Sequence, residues 1–138
     1  MIDHTTTIVV RFGDLDPYDH VNHARYFTYF ESARIELLEE MGFGMDLMKS
    51  QGFQIVLVEL TARFHKPAVL HDRLTIETAV LEVARSTTRW RQQATRGGDL
   101  IASLEVRAAF TDVGGAPVRA PAGFSERALA GTSLPELS

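Results

Sequence analysis

Asp14-Leu15-Asp16-Pro17-Tyr18-Asp19-His20-Val21-Asn22-His23-Ala24-Arg25-Tyr26-Phe27-Thr28-Tyr29-Phe30-Glu31-Ser32-Ala33-Arg34 begins as an acidic, turn-rich segment and ends as an amphipathic helix. Pro17 restricts Asp16 to extended backbone, and the surrounding Gly, Asp and His residues favour a loop over residues 13–20. From about residue 22 to residue 41 the apolar period changes to three and four. Tyr26, Phe30, Ala33, Leu37 and Met41 form one stripe, which Phe27, Ile35 and Leu38 widen, so the helix is expected to be buried on more than one side. Gly42 and Gly44 end it. Asn22 is the expected N-cap, with Val21 and Tyr26 at the two positions of a hydrophobic staple.

Outward from this core, residues 5–12 are β-branched and aromatic, which suits a strand. Residues 45–49 allow a short helical turn. Val56, Val58, Leu60, Ala62 and Phe64 then alternate with mostly polar neighbours, and Leu74, Ile76, Thr78 and Val80 do the same until the parity slips, which predicts a bulge. Leu100, Leu104, Val106, Ala108 and Phe110 repeat the alternation. Residues 96–99 and 112–115 read as hairpin turns, residues 67–72 as a longer connection and residues 124–129 as a short terminal helix. One long helix followed by a meander of antiparallel strands predicts an α+β domain with the helix on one sheet face, spanning residues 1–138 as a single unit. Such a sheet leaves edges and an outer face to cover, which argues for self-association.

The composition narrows the function classes. The 138 residues are 45% hydrophobic and 23% charged, values of a compact globular chain rather than a disordered or fibrous one. The net charge of −4 disfavours nucleic-acid binding, which needs clustered cations. Yet residues 1–60 carry four basic and ten acidic side chains, whereas residues 61–138 carry ten and eight. Twelve of the fourteen cations are arginine, whose planar fork suits phosphate, so a phosphorylated small molecule stays open. The absence of cysteine removes disulfides and thiolate chemistry and fits a reducing, cytoplasmic setting. No signal peptide or membrane span is expected.

The unusual chemistry is concentrated between Asp14 and His23. The residue types alone also suit a solvated capping loop. A calcium loop begun at Asp14 fails, because Asp19 would stand at the required glycine and Arg25 at the bidentate glutamate. Asp16, His20 and His23 have ligand chemistry for a transition metal, but their spacing straddles the loop-to-helix junction. A catalytic reading uses the helix start, where the His23 and Ala24 N–H groups belong to the unpaired first turn and could receive an oxyanion. A nearby carboxylate would attack a carbonyl or activate water, with His20 orienting water or substrate. Asp16 is weakly preferred to Asp14 because of Pro17. Phosphate loops, dinucleotide fingerprints and the serine elbow are absent.

The Asp14–Arg34 stretch resembles the signature of hot-dog-fold acyl-CoA thioesterases of the 4-hydroxybenzoyl-CoA thioesterase type. Glu59-Leu60-Thr61-Ala62-Arg63-Phe64-His65-Lys66-Pro67 and Asp72-Arg73-Leu74 are similar to that family's second strand and the turn after it. The resemblance implies a long antiparallel sheet wrapped around one central helix and hydrolysis of an acyl-CoA, with no metal or other cofactor. It implies Asp16 as nucleophile or general base and the His23 amide as oxyanion donor, with His20, Asn22 and Tyr26 shaping the acyl side. It also implies a homodimer or homotetramer with pantetheine entering between protomers. The His-Val-Asn after the aspartate points towards fatty or other acyl groups rather than hydroxybenzoyl. His71 stands where the family commonly has glycine. Acyl-carrier-protein thioesterase and non-catalytic acyl-CoA-binding module are the alternatives.

Lys66, Arg85, Ser86, Arg89 and Arg91 are candidates for coenzyme A contacts. The competing reading pairs the strand arginines with Glu77, Glu82 or Glu105 across the sheet. Glu31, Glu36, Glu39 and Glu40 mostly lie off the apolar stripe and are expected to be exposed, and Trp90 is expected in the core.

Overall fold

A computed structural model describes residues 4–130. In chain order these form β1 (His4–Val9), a single 3-10 turn (Phe12–Asp14), α1 (His23–Glu40), α2 (Met45–Ser50), β2 (Gln54–Phe64), β3 (Arg73–Val83), β4 (Thr87–Arg96), β5 (Asp99–Thr111) and α3 (Phe124–Ala130). The strands make one antiparallel sheet in the order β1-β3-β4-β5-β2. The expected meander therefore holds only for β3, β4 and β5. β2 pairs with β5 at one edge and β1 with β3 at the other. Periodicity reports which face a strand shows, not which neighbour it takes, so this crossing was not readable from alternation. β1 is also shorter than expected, because residues 12–14 leave the sheet for the 3-10 turn.

α1 starts and stops where its sequence dictates. The Asn22 side chain accepts the Ala24 N–H at 2.9 Å, satisfying one orphan donor of the first turn. At the other end Gly42 adopts φ +85°, Phe43 N–H donates to Leu38 O and Gly42 N–H to Glu39 O, a Schellman closure that glycine accommodates without Cβ strain. Arg127 Nη1 on α3 donates to the Met41 carbonyl at 2.6 Å, so the last helix seals the end of the first. Tyr26, Phe30, Ala33 and Leu37 join Leu74, Ile76, Val80, Trp90, Leu104 and Val106 in one buried cluster, to which α3 adds Phe124 and Ala128. Leu38 and Met41 are buried as expected. Phe27 and Ile35 are more than a third exposed, and Tyr29 is buried in their stead.

The bulge predicted in β3 falls between Val80 and Glu82. A second one, between Leu57 and Glu59, reverses the parity of β2. Val56 and Val58 consequently stand exposed, while Ile55, Leu60 and Ala62 pack against the core. Among the described residues, no helix is long and apolar enough to cross a membrane.

Candidate active site

The segment ahead of α1 is a pinched loop whose tip carries Asp16. Leu15 and Val21 form an isolated antiparallel bridge, and the Asp16 N–H donates to His20 O at 2.7 Å. Asp19 closes the tip at φ +63°, a left-handed conformation that aspartate tolerates better than most residues. The Asp16 carboxylate accepts two backbone N–H groups through Oδ1, from Tyr18 at 2.8 Å and His20 at 3.2 Å. Its Oδ2 has no partner among the described residues. The loop is fastened to the body by Val21 N–H to Ala68 O at 2.9 Å and Asn22 N–H to Asp14 O at 2.8 Å.

Asp14 is occupied. Its Oδ2 accepts the Tyr29 hydroxyl at 2.7 Å and the Arg11 N–H at 3.1 Å, and Arg25 Nε lies 3.8 Å from Oδ1. Of the three loop carboxylates, Asp16 alone borders a cleft, and it keeps one oxygen unspent; Asp14 is engaged and Asp19 does not line the cleft. Asp16 lines this open cleft of about 210 Å³ with His20, Val21, His23, Tyr26, Phe64, His65, Lys66 and Pro67. The cleft lies where the start of α1 meets the end of β2. The Phe64 ring joins the two, with centroids 4.9 Å from His23 and 5.3 Å from Tyr26.

At the helix start the donors are no longer equivalent. Asn22 spends its side chain on Ala24 N–H and its carbonyl on Arg25 N–H. The His23 N–H has no partner among the described residues, and it sits where the helix dipole is positive. The Ala24 amide expected as a second oxyanion donor is therefore engaged, and Asn22 serves as a cap.

The remaining candidates divide. His20 is exposed and unbonded at the cleft through its side chain. Lys66 borders the same cleft with Nζ 3.3 Å from Asp99 Oδ1. Tyr26 is buried at the cleft wall; burial raises its phenol above the ordinary value, outweighing the hydrogen bond from the Ala68 backbone and the nearby Arg96. Arg85, Ser86 and Arg89 do not border this cleft. The Arg85 and Ser86 carbonyls accept the Ala120 and Phe110 N–H groups, and Arg89 Nε pairs with Glu82 at 3.3 Å. Arg91 likewise faces Glu105 at 3.7 Å. Phe64, His65 and Pro67 carry only strand and turn signals in the sequence; their place in the site comes from β2 ending beside α1, which local sequence does not encode. Among the described residues no group of three or more His, Cys, Asp or Glu side chains is placed to hold a metal ion, so Asp16, His20 and His23 do not assemble the site their residue types allowed.

The chain is similar to known proteins along most of its length. The profile of the thioesterase-like superfamily matches residues 10–128. The acyl-CoA thioesterase YbgC of Haemophilus influenzae is 32% identical over 117 residues, covering 83% of this chain and 86% of that protein. The long-chain acyl-CoA thioesterase FadM of Escherichia coli is 37% identical over 78 residues, 56% of this chain and 58% of that protein. A thioesterase from Thermus thermophilus, solved with coenzyme A and zinc, superposes with a TM-score of 0.83 at 27% identity, covering 97% of this chain and 98% of that one.

Proposed function

Because the chain belongs to the thioesterase-like superfamily and carries its hot-dog architecture, we propose that it hydrolyses an acyl-CoA to a carboxylic acid and coenzyme A, using Asp16 as nucleophile or general base. The carrying observation is the pairing of one unspent Asp16 oxygen with one unpartnered helix-start amide, His23 N–H, at a single cleft. The thioester carbonyl oxygen is received by that N–H, where the fixed dipole stabilises the charge that develops on addition. With Asp16 as general base, the carboxylate takes a proton from water while the water oxygen bonds to the carbonyl carbon. The tetrahedral intermediate then expels the thiolate, which takes up the proton. With Asp16 as nucleophile, its oxygen displaces the thiolate to give a mixed anhydride that water cleaves. Neither route calls on a metal or redox cofactor.

Lys66 lines the cleft, and its ammonium suits the coenzyme's phosphates. Arg85, Ser86 and Arg89 lie off the cleft of their own protomer, so their contribution to binding requires a second copy, in keeping with a homodimer as the smallest active unit and a homotetramer as its doubled form. His20 orients water or the acyl group, and Tyr26 with Phe64 forms the apolar wall. The acyl group is a fatty or other acyl chain rather than hydroxybenzoyl, in line with His20-Val21-Asn22. The cysteine-free composition suits a cytoplasmic setting.

A panel of acetyl-, hexanoyl-, dodecanoyl-, palmitoyl- and benzoyl-CoA, with dodecanoyl-acyl carrier protein, tests the reading by thiol release. Asp16→Asn is expected to lower kcat by about 1,000-fold or more while thermal stability and coenzyme A binding persist. Full activity in Asp16→Asn would remove the aspartate from the mechanism. Binding without turnover in the unmodified protein would favour a binding module, and preference for the carrier-protein thioester would reassign the substrate.

A further inference from the structure

Asp14 and Tyr29 form a closely engaged polar pair near the cleft, and the chemistry above uses neither. Tyr29 lies on the buried side of α1, its ring edge-on to Tyr26 with centroids 6.0 Å apart, and its hydroxyl donates to Asp14 Oδ2 at 2.7 Å. Asp14 stands two residues before Asp16. Through its backbone carbonyl it also receives the Asn22 N–H, the residue before His23. Asp14 thus touches both halves of the site: the loop that bears the carboxylate and the helix start that bears the free amide.

We propose that Asp14 and Tyr29 form a positioning pair that locks the Asp16 loop to α1 and so sets the placement of the Asp16 carboxylate relative to the His23 N–H. The proposal rests on the reading of Asp16 as the reacting carboxylate.

The alternatives for this pair are weaker. Asp14 cannot serve as a second base without surrendering the Tyr29 hydroxyl, the Arg11 N–H and the Arg25 guanidinium together. Tyr29 is no proton donor to substrate: burial first, then the hydrogen bond to and charge of Asp14, push its phenol far above the ordinary range. Nor is the pair simply part of the core. The Leu15–Val21 bridge and the Val21–Ala68 hydrogen bond hold the loop's base without it. What the pair adds is a side-chain tie from the loop to a residue more than one turn into the helix. Attack geometry is sensitive to that kind of constraint, since a displacement of about 1 Å can cost about 100-fold in rate.

The test combines kinetics with amide hydrogen exchange on the full chain, using whichever acyl-CoA of the panel is turned over fastest. Tyr29→Phe is expected to lower kcat by about tenfold, with KM changed less than about twofold and the melting temperature by only a few degrees. Asp14→Asn, whose amide oxygen can still accept from Tyr29, keeps most of kcat, whereas Asp14→Ala does not. The double variant Asp14→Ala/Tyr29→Phe is no slower than the slower single variant, as expected when two residues act through one contact. Exchange at the Asp16, Tyr18 and His20 amides speeds up in Tyr29→Phe, while β4 is unchanged. Unchanged kcat in Tyr29→Phe overturns the proposal, as does unchanged exchange at the loop. Asp14→Asn as inactive as Asp16→Asn also overturns it, by making Asp14 a reacting group. Retained activity in Asp16→Asn defeats the catalytic reading instead, and the exchange result then decides by itself whether Tyr29 anchors the loop.

Discussion

Asp72 and Arg96 brace the connection beneath the cleft. Arg96 Nη1 lies 2.7 Å from Asp72 Oδ2 and 3.1 Å from the Pro67 carbonyl, while Asp72 also accepts the Val69 N–H at 2.9 Å. Burial by itself would raise the Asp72 carboxyl, but the Val69 N–H and the Arg96 guanidinium outweigh it and hold the group below the usual aspartate range. The ionised carboxylate therefore stabilises the folded chain above the unfolded value of about 4, and that contribution fades as pH falls through the lower folded value. Asp72→Asn should cost about 1 kcal/mol in urea denaturation at neutral pH, a modest figure because the pair is partly exposed. The gap to the unmodified protein should close on acidification; a gap that stays constant down to strongly acidic pH would contradict the assignment. His71, beside it, adopts φ +70°, a left-handed conformation that glycine reaches without strain. The choice between Asp14 and Asp16 shows where residue-level reading stops. Pro17 gave only a weak preference for Asp16, because the deciding partner of Asp14 is Tyr29, fifteen positions further along and brought near by the fold.

β2 shows the same limit for an element. Its apolar content was plain, but the bulge after Leu57 could not be placed from alternation, since either parity leaves hydrophobic residues on both faces. Its consequence is an edge strand with Val56 38%, Leu57 51% and Val58 49% exposed. An apolar edge of that kind is covered in solution or becomes a site of aggregation. Val58→Lys should shift the proposed dimer towards monomer, raising its dissociation constant by about tenfold or more in analytical ultracentrifugation. An unmodified protein that sediments as a monomer at high concentration would show that the edge is tolerated bare. α1, in contrast, was legible almost to the residue. Its stripe, its Asn22 cap and its glycine stop are all local signals, and only the exposure of Phe27 and Ile35, on the side of the helix facing β2, depended on tertiary placement.

For the whole molecule, the excess of arginine in the second half has a mainly internal use. Arg89–Glu82, Arg91–Glu105, Arg107–Glu59 and Arg96–Asp72 tie neighbouring strands and turns within the sheet region. Exposed pairs of this kind contribute at most about 1 kcal/mol each, so they serve register more than stability. The strand order has a further consequence, in time rather than in space. β3, β4 and β5 are joined by short connections and can pair early, whereas Gln54↔Thr111 and His4↔Thr78 must close long stretches of chain before either edge strand is seated. The cleft draws on residues 16–26 and 64–67, which border those late-closing edges, while Trp90 reports from the middle of the early meander. On dilution from denaturant, Trp90 fluorescence should recover ahead of thioester hydrolysis, and recovery of both at one common rate would refute that order. Catalytic competence would then be the last property this chain acquires as it folds.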